Sequence, residues 1–283
     1  MDAIAGGRTI RIGHSPDPDD AFMFYGLASG RVPTPGYAVV QVLKDIESLN
    51  RLALEGAIEV TAVSFHAYAY LADRYVLLPC GASMGEGYGP LVVTRAPAAV
   101  EDLRRMTIAV PGALTSATLA LRLLLGEVLT VVLPFDRILE AVARGEQEAG
   151  LLIHEGQLTY GARGLHKVID LGEWWTRETS GLPLPLGGNA IRRDLGARAI
   201  ADVAGFLHKS IAFGLEHREE ALTYALGFGR GIGRPLADRF VGMYVNDLTL
   251  DYGATGRRAI ETFLRRGHEA GILPGPVAVE FAG

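Results

Sequence analysis

The chain has 283 residues, of which 49% are hydrophobic and 21% charged, enough apolar material for two modest domains or one large one and too much for a disordered segment. Its 27 Lys and Arg stand against 32 Asp and Glu, a formal net charge of −5 with the basic residues scattered, which excludes nucleic acid as an expected partner. The single cysteine, Cys80, excludes an intrachain disulfide and a Cys-cluster metal site, and in Leu-Leu-Pro-Cys-Gly it reads as a small buried residue rather than a nucleophile.

Short β-rich runs alternate with helix-period segments from the start. Residues 9–13 predict a strand, 20–29 a helix, 38–43 a strand, 46–54 a helix and 58–63 a strand, an opening βαβαβ pattern that calls for a mainly parallel sheet. Two strands, 75–79 and 90–94, then flank a glycine-rich connection over 80–89. A second α/β unit follows, with strands at 107–110, 129–133 and 149–153 and helices at 116–125 and 136–144. Beyond the proline- and glycine-rich stretch 181–189, residues 197–215, 218–226, 236–244 and 255–267 carry apolar residues at helical spacing.

The economical arrangement is an α/β chain with two lobes. It leaves the first near residues 92–95, builds the second, and returns near 187–190, so residues 1–94 and 190–283 form the larger lobe and 95–189 the smaller, with a central cleft and a hinge. That layout is similar to the periplasmic-binding-protein-like fold of type II. The opening segment has no apolar core long enough for a signal peptide, and no stretch approaches the roughly 20 apolar residues of a membrane span. A cytoplasmic protein, monomeric or weakly dimeric and without a membrane partner, is therefore expected.

In open α/β sheets, ligands bind beyond the carboxyl ends of the strands, where helix N-termini present free N–H groups. Four places there carry polar residues. The segment from His14 to Asp20, with Ser15, Asp17 and Asp19, has the composition of a turn and helix cap; two prolines among the three Asp restrict their convergence on a metal, so no metal is expected. Ser64 closes the 58–63 strand, and Thr115-Ser116 repeats the situation in the second unit; each suffices as a cap, and together they predict a grip on an anion from both sides. His154-Glu155 follows the apolar run Gly150-Leu151-Leu152-Ile153. A histidine there is either a core residue or a general base, and Glu155, with adjacent strand residues on opposite faces, is expected in solvent or at the hinge. The Gly227–Gly233 run follows a helix and lacks the Lys-Ser or Lys-Thr of a phosphate loop, so it reads as a helix-terminating loop; Trp174-Trp175 read as packing or cleft-rim residues.

The His14-Ser-Pro-Asp-Pro-Asp-Asp20 segment with Ala21-Phe22-Met23-Phe24-Tyr25, the Leu151-Leu152-Ile153-His154-Glu155 strand end and the Gly181-to-Gly187 segment together resemble the 1,4-dihydroxy-6-naphthoate synthase family of the futalosine route to menaquinone. The resemblance runs from about Ile10 past Asn246. It implies a lyase that converts cyclic dehypoxanthinylfutalosine, a small carboxylate, to the naphthoate with release of a three-carbon sugar-derived fragment. It also implies His154 as proton acceptor, substrate contacts at Ala62, Val63, Ser64, Thr115 and Ser116, and no cofactor, because the substrate contains the electron sink. Some relatives carry Cys and Asn where this chain has Asp17 and Asp19, so the resemblance assigns those two no role. Two other readings share the fold: a solute-binding protein for a small carboxylate, and the chorismate-dehydrating enzyme of the same pathway. The missing signal peptide speaks against the first, and the Ser-Pro-Asp-Pro-Asp-Asp and Ile-His-Glu motifs against the second.

Overall fold

The computed structural model describes residues 7–282; residues 1–6, which open the segment read for a signal peptide, and residue 283 lie outside the described residues. β1 (Arg8–His14) leads into α1 (Pro18–Ala28), β2 (Tyr37–Leu43), α2 (Ile46–Leu54) and β3 (Val60–Ser64). β1 pairs in parallel with β2 on one side and with β3 on the other, as helical crossovers require. α1 starts where it does because Asp17 accepts the Asp20 N–H as its cap and Pro18 fills the first turn, where no N–H is needed. A single helical turn, α3 (Phe65–Tyr68), and two short strands, β4 (Tyr75–Leu77) and β5 (Ser83–Gly85), complete this half.

The second half contains β6 (Leu91–Thr94), β7 (Ile108–Val110), α4 (Ser116–Leu125), β8 (Thr130–Val132), α5 (Phe135–Ala143), β9 (Ala149–Leu152), α6 (Gly156–Thr159), β10 (His166–Asp170) and α7 (Leu171–Glu178). The long strand β11 (Leu184–Arg192) then returns to the first sheet, and the chain ends in α8 (Ala197–Glu216), α9 (Arg218–Leu226), α10 (Arg234–Tyr244), α11 (Asp247–Leu250) and α12 (Gly253–Glu269). The two sheets run β2-β1-β3-β11-β4, with β5 also on β11, and β10-β6-β9-β7-β8. In each, three parallel strands sit in the same order around the first of them, β2-β1-β3 and β8-β7-β9, and an antiparallel strand from elsewhere in the chain extends the set. The second unit is a topological copy of the first.

The crossings fall a few residues earlier than residues 92–95 and 187–190. All of β6 pairs within the second sheet and all of β11 within the first, so the chain changes sheets just ahead of Leu91 and Leu184. Pro90 and Pro183, which cannot donate to a ladder, mark the two breaks better than the valines and glycines that follow them. The first crossing is tight: a Cβ on either Gly85 or Gly172 would overlap the Tyr88 carbonyl oxygen. Residues 166–178, for which the sequence pattern set no element, form β10 and α7; Trp175, read with Trp174 as packing or rim, is fully buried and donates its indole N–H to the Pro183 carbonyl at 3.0 Å.

α8, α9 and α10 pack with α1 over the first sheet, around Ile10, Ile12, Phe22, Leu207 and Ile211. α12 departs from the expectation that all C-terminal helices serve one lobe. Its Ile260, Phe263 and Leu264 share a core with Val63 of β3, Leu119 and Leu121 of α4, Leu151 of β9 and Trp175, so it ties the two halves together. Among the described residues, no helix is long and apolar enough to cross a membrane.

Candidate active site

The carboxyl ends of β1, β3 and β9 and the N-terminal ends of α1 and α4 converge on one cavity between the two sheets. Counting the part open to solvent, the space between its walls is about 700 Å³. Ala62 and Ser64 line it from β3, while Val63, one residue out of phase, points its side chain into the core. Thr115, Ser116 and Ala117 line it from the start of α4, Ile153 and His154 from just past the end of β9, and Gln157 from α6. Asp17, Asp19 and Ser83 line it as well.

The donor side of the cavity is built on Asn50. Its side-chain oxygen accepts the Ser64 N–H at 2.9 Å and its amide donates to Ser64 Oγ at 3.2 Å, which leaves the Ser64 hydroxyl proton for a ligand. Ser64 holds the cap position of α3 without capping it. Thr115 behaves differently: it donates to the Gly112 carbonyl at 3.1 Å and accepts the Thr118 N–H at 3.3 Å, so its hydroxyl is committed to the cap of α4. Ser116 accepts the His66 N–H at 3.3 Å and keeps its own proton free, beside the open N–H groups of a ten-residue helix. Ser64→Ala is accordingly expected to raise KM roughly 3- to 10-fold at unchanged kcat. Thr115→Val should instead cost about 1 kcal/mol of folding stability with little change in KM. Steady-state kinetics alongside urea unfolding separates the two.

The opposite side is acidic. His154 follows β9 with φ +55°, a left-handed backbone that turns its ring back across the cleft. There Nδ1 meets Asp17 Oδ2 at 3.0 Å, joining the α1 end of one sheet to the β9 end of the other, and Nε2 has no protein partner. The ring packs edge-on against Phe135, centroids 4.5 Å apart. Burial opposes charge on Asp17, but the charge and hydrogen bond of His154 outweigh it and hold this carboxyl well below the usual range. Burial pushes Asp19 and Asp20 the other way, reinforced by the Asp17 charge, so those two carboxyls lie well above the usual range. Asp20 is structural, accepting the Ser15 N–H at 2.7 Å. Asp19 faces the cavity, with one oxygen 3.4 Å from Ser83 Oγ and the other unpaired.

Ligand atoms of Asp17, Asp19 and His154 lie within 4.8 Å of one another, the only metal-compatible cluster among the described residues. The 3.0 Å Nδ1 to Oδ2 approach is within the range of a direct hydrogen bond between His154 and Asp17. His14 neither lines the cleft nor reaches the surface: it is fully buried and stacks on Phe24. Glu155 is not solvent-facing; its side chain is 13% exposed and pairs with Arg230 at 3.0 Å. Gln157, whose amide lies 2.8 Å from the Tyr244 hydroxyl, is a further cleft residue that nothing in the local sequence singles out.

His66 makes another contact between the halves, with Nδ1 3.3 Å from the Thr115 carbonyl. Burial pushes its imidazole down to about 4, outweighing that hydrogen bond. The unfolded chain therefore takes up a proton near pH 6.5 that the folded one takes up only near 4. Stability from this group is complete above pH 6.5 and declines as pH falls toward 4, by about 3 kcal/mol in all. Urea unfolding across that window should show the decline, and His66→Gln, which keeps a donor for Thr115, should flatten it.

A protein-family model described as menaquinone biosynthesis matches residues 10–269. The chain is 44% identical over 268 residues to a 1,4-dihydroxy-6-naphthoate synthase of Thermus thermophilus, covering 94% of this chain and 97% of that one. It is 40% identical over 284 residues to a protein of the same name from Streptomyces coelicolor, covering 96% and 98%. A crystal structure of an Archaeoglobus fulgidus protein superposes with a TM-score of 0.89 at 45% identity, covering 93% of this chain and 98% of that one. The alkanesulfonate-binding protein of Xanthomonas axonopodis superposes at 0.73 with 14% identity over 97% of each chain, a likeness of fold alone, and that fold is the periplasmic-binding-protein-like one. With the match running through both sheets and every wall of the cleft, the chain belongs to the menaquinone biosynthesis family.

Proposed function

We propose that this protein is a 1,4-dihydroxy-6-naphthoate synthase, a carbon–carbon lyase that converts cyclic dehypoxanthinylfutalosine to 1,4-dihydroxy-6-naphthoate and a three-carbon fragment. The observation that carries the reading is the Asp17–His154 pair across the cleft, with an unpartnered Nε2, in the same cavity as the free donors on Ser64, Ser116 and the α4 N-terminus. The donor wall holds the substrate carboxylate. His154 takes a proton from the sugar-derived part at Nε2, and Asp17 steadies the imidazolium that forms. The electron pair of the breaking carbon–carbon bond passes into the ring system, whose aromatisation drives the step.

No redox or electrophilic cofactor enters this scheme, since the substrate accepts the electrons itself. The reaction is assigned to the cytoplasm and to a monomer or weak dimer acting on a small carboxylate. Incubating the pure protein with cyclic dehypoxanthinylfutalosine should yield the naphthoate, detected by its absorbance and mass. A stable complex without product would replace the lyase with a binding module of the same fold.

A further inference from the structure

Arg230 sits in the glycine-rich loop between α9 and α10, a segment with no phosphate-binding context, and its own backbone is left-handed at φ +46°. Its guanidinium makes three contacts at the rim of the cleft. Nη2 donates to the Pro16 carbonyl at 3.0 Å, one residue before Asp17. Nη1 donates to Glu155 Oε1 at 3.0 Å, one residue after His154. The plane lies 4.5 Å from the centre of the Phe135 ring, and that ring packs on His154. One side chain thus grips the segments that carry the two members of the Asp17–His154 pair, and backs the imidazole through an aromatic ring as well.

We infer that Arg230 is a positioning residue that clasps the two halves of the protein at the mouth of the cleft and holds His154 and Asp17 in register. An exposed ion pair by itself contributes little to stability. Here, however, Glu155 is largely buried, and its second oxygen has no partner, so the pair is built into the wall rather than laid on the surface. The guanidinium geometry matters, because a lysine ammonium reaching Glu155 could not also bond the Pro16 carbonyl and stack on Phe135.

The inference rests on His154 being the working base, so the test includes a readout that needs no substrate. In proton NMR of the full chain, the His154 Nδ1–H bonded to Asp17 should give a downfield resonance in the parent protein, identified by its loss in His154→Asn. Arg230→Ala should broaden or abolish it through exchange, whereas Arg234→Ala, at the start of α10 and paired with exposed Glu219, should leave it intact. With turnover as the second readout, Arg230→Ala should lower kcat roughly 10- to 100-fold, the scale of an ångström-sized misplacement, with a smaller change in KM. Arg230→Lys should rescue only part of the loss, and Glu155→Gln should be non-additive with Arg230→Ala. A resonance and kcat unchanged in Arg230→Ala would overturn the clasp, whatever happens to thermal stability. A resonance that responds to Arg230 in a chain that turns over no naphthoate precursor would leave the clasp standing and remove the proposed reaction instead.

Discussion

His154→Asn is expected to lower turnover by about 10²- to 10⁴-fold, the usual contribution of a general base, while binding of 1,4-dihydroxy-6-naphthoate changes no more than a few-fold. Asparagine is the informative substitution because position 154 has φ +55°, and among the non-glycine residues Asn tolerates a left-handed backbone best. Alanine there would add backbone strain and confuse lost chemistry with lost structure. Asn also retains a donor at hydrogen-bond reach of Asp17, so the acidic wall keeps a partner and need not rearrange. Isothermal titration with the product and single-turnover kinetics with the substrate measure the two halves of the expectation. A variant with turnover near the parent level would end the role of His154 as the base and move attention to Asp19, whose unpaired oxygen shares the same cavity.

Asp17→Asn should lower kcat by about two orders of magnitude or more, because it removes the charge that favours an imidazolium on the way to the transition state. The fold should tolerate it, since Asn caps α1 as well as Asp does and can still accept the Asp20 N–H that Asp17 accepts at 3.2 Å. Burial raises Asp19 and Asp20 most and the Asp17 charge adds to it, so with that charge removed both carboxyls should titrate closer to their usual range. The two substitutions should be strongly non-additive: the Asp17→Asn, His154→Asn double variant should be no slower than His154→Asn alone, because Asp17 acts through the imidazole. Additive losses would place Asp17 on the substrate directly. Carbon-13 NMR of labelled aspartate carboxyls would follow the accompanying change on Asp19 and Asp20 without reference to activity.

Much of the site was legible before any coordinates because it sits where α/β topology puts it. Ser64, Ser116 and His154 all stand at carboxyl ends of strands, and the strands declare themselves by short β-branched and aliphatic runs punctuated by Gly, Pro and caps. Residues whose role is set by a distant partner could not be read that way. Asp17 looks like a cap in any sequence and is one; only the fold brings His154 against its other oxygen. Thr115 and Ser116 are alike as neighbours in the chain, yet one hydroxyl is absorbed by Gly112 and Thr118 while the other faces the cavity. Arg230 lay in a loop set aside for its composition, and its contacts become visible only when α9 and α10 are placed against the rim.

The sequence by itself determined the periodic skeleton: two βαβαβ units, the helical C-terminal third, and the polar residues at strand ends that local hydrophobic and capping patterns place. Tertiary structure alone decided where the chain crosses between sheets, that α12 joins both halves, that Asp17 meets His154 across the cleft, and that Arg230 meets their neighbours Pro16 and Glu155. The difference is physical. Periodicity and caps are written in residues a few positions apart, whereas the protonation of Asp17, Asp19 and Asp20 and the register of His154 depend on burial and charge from segments that only folding makes neighbours.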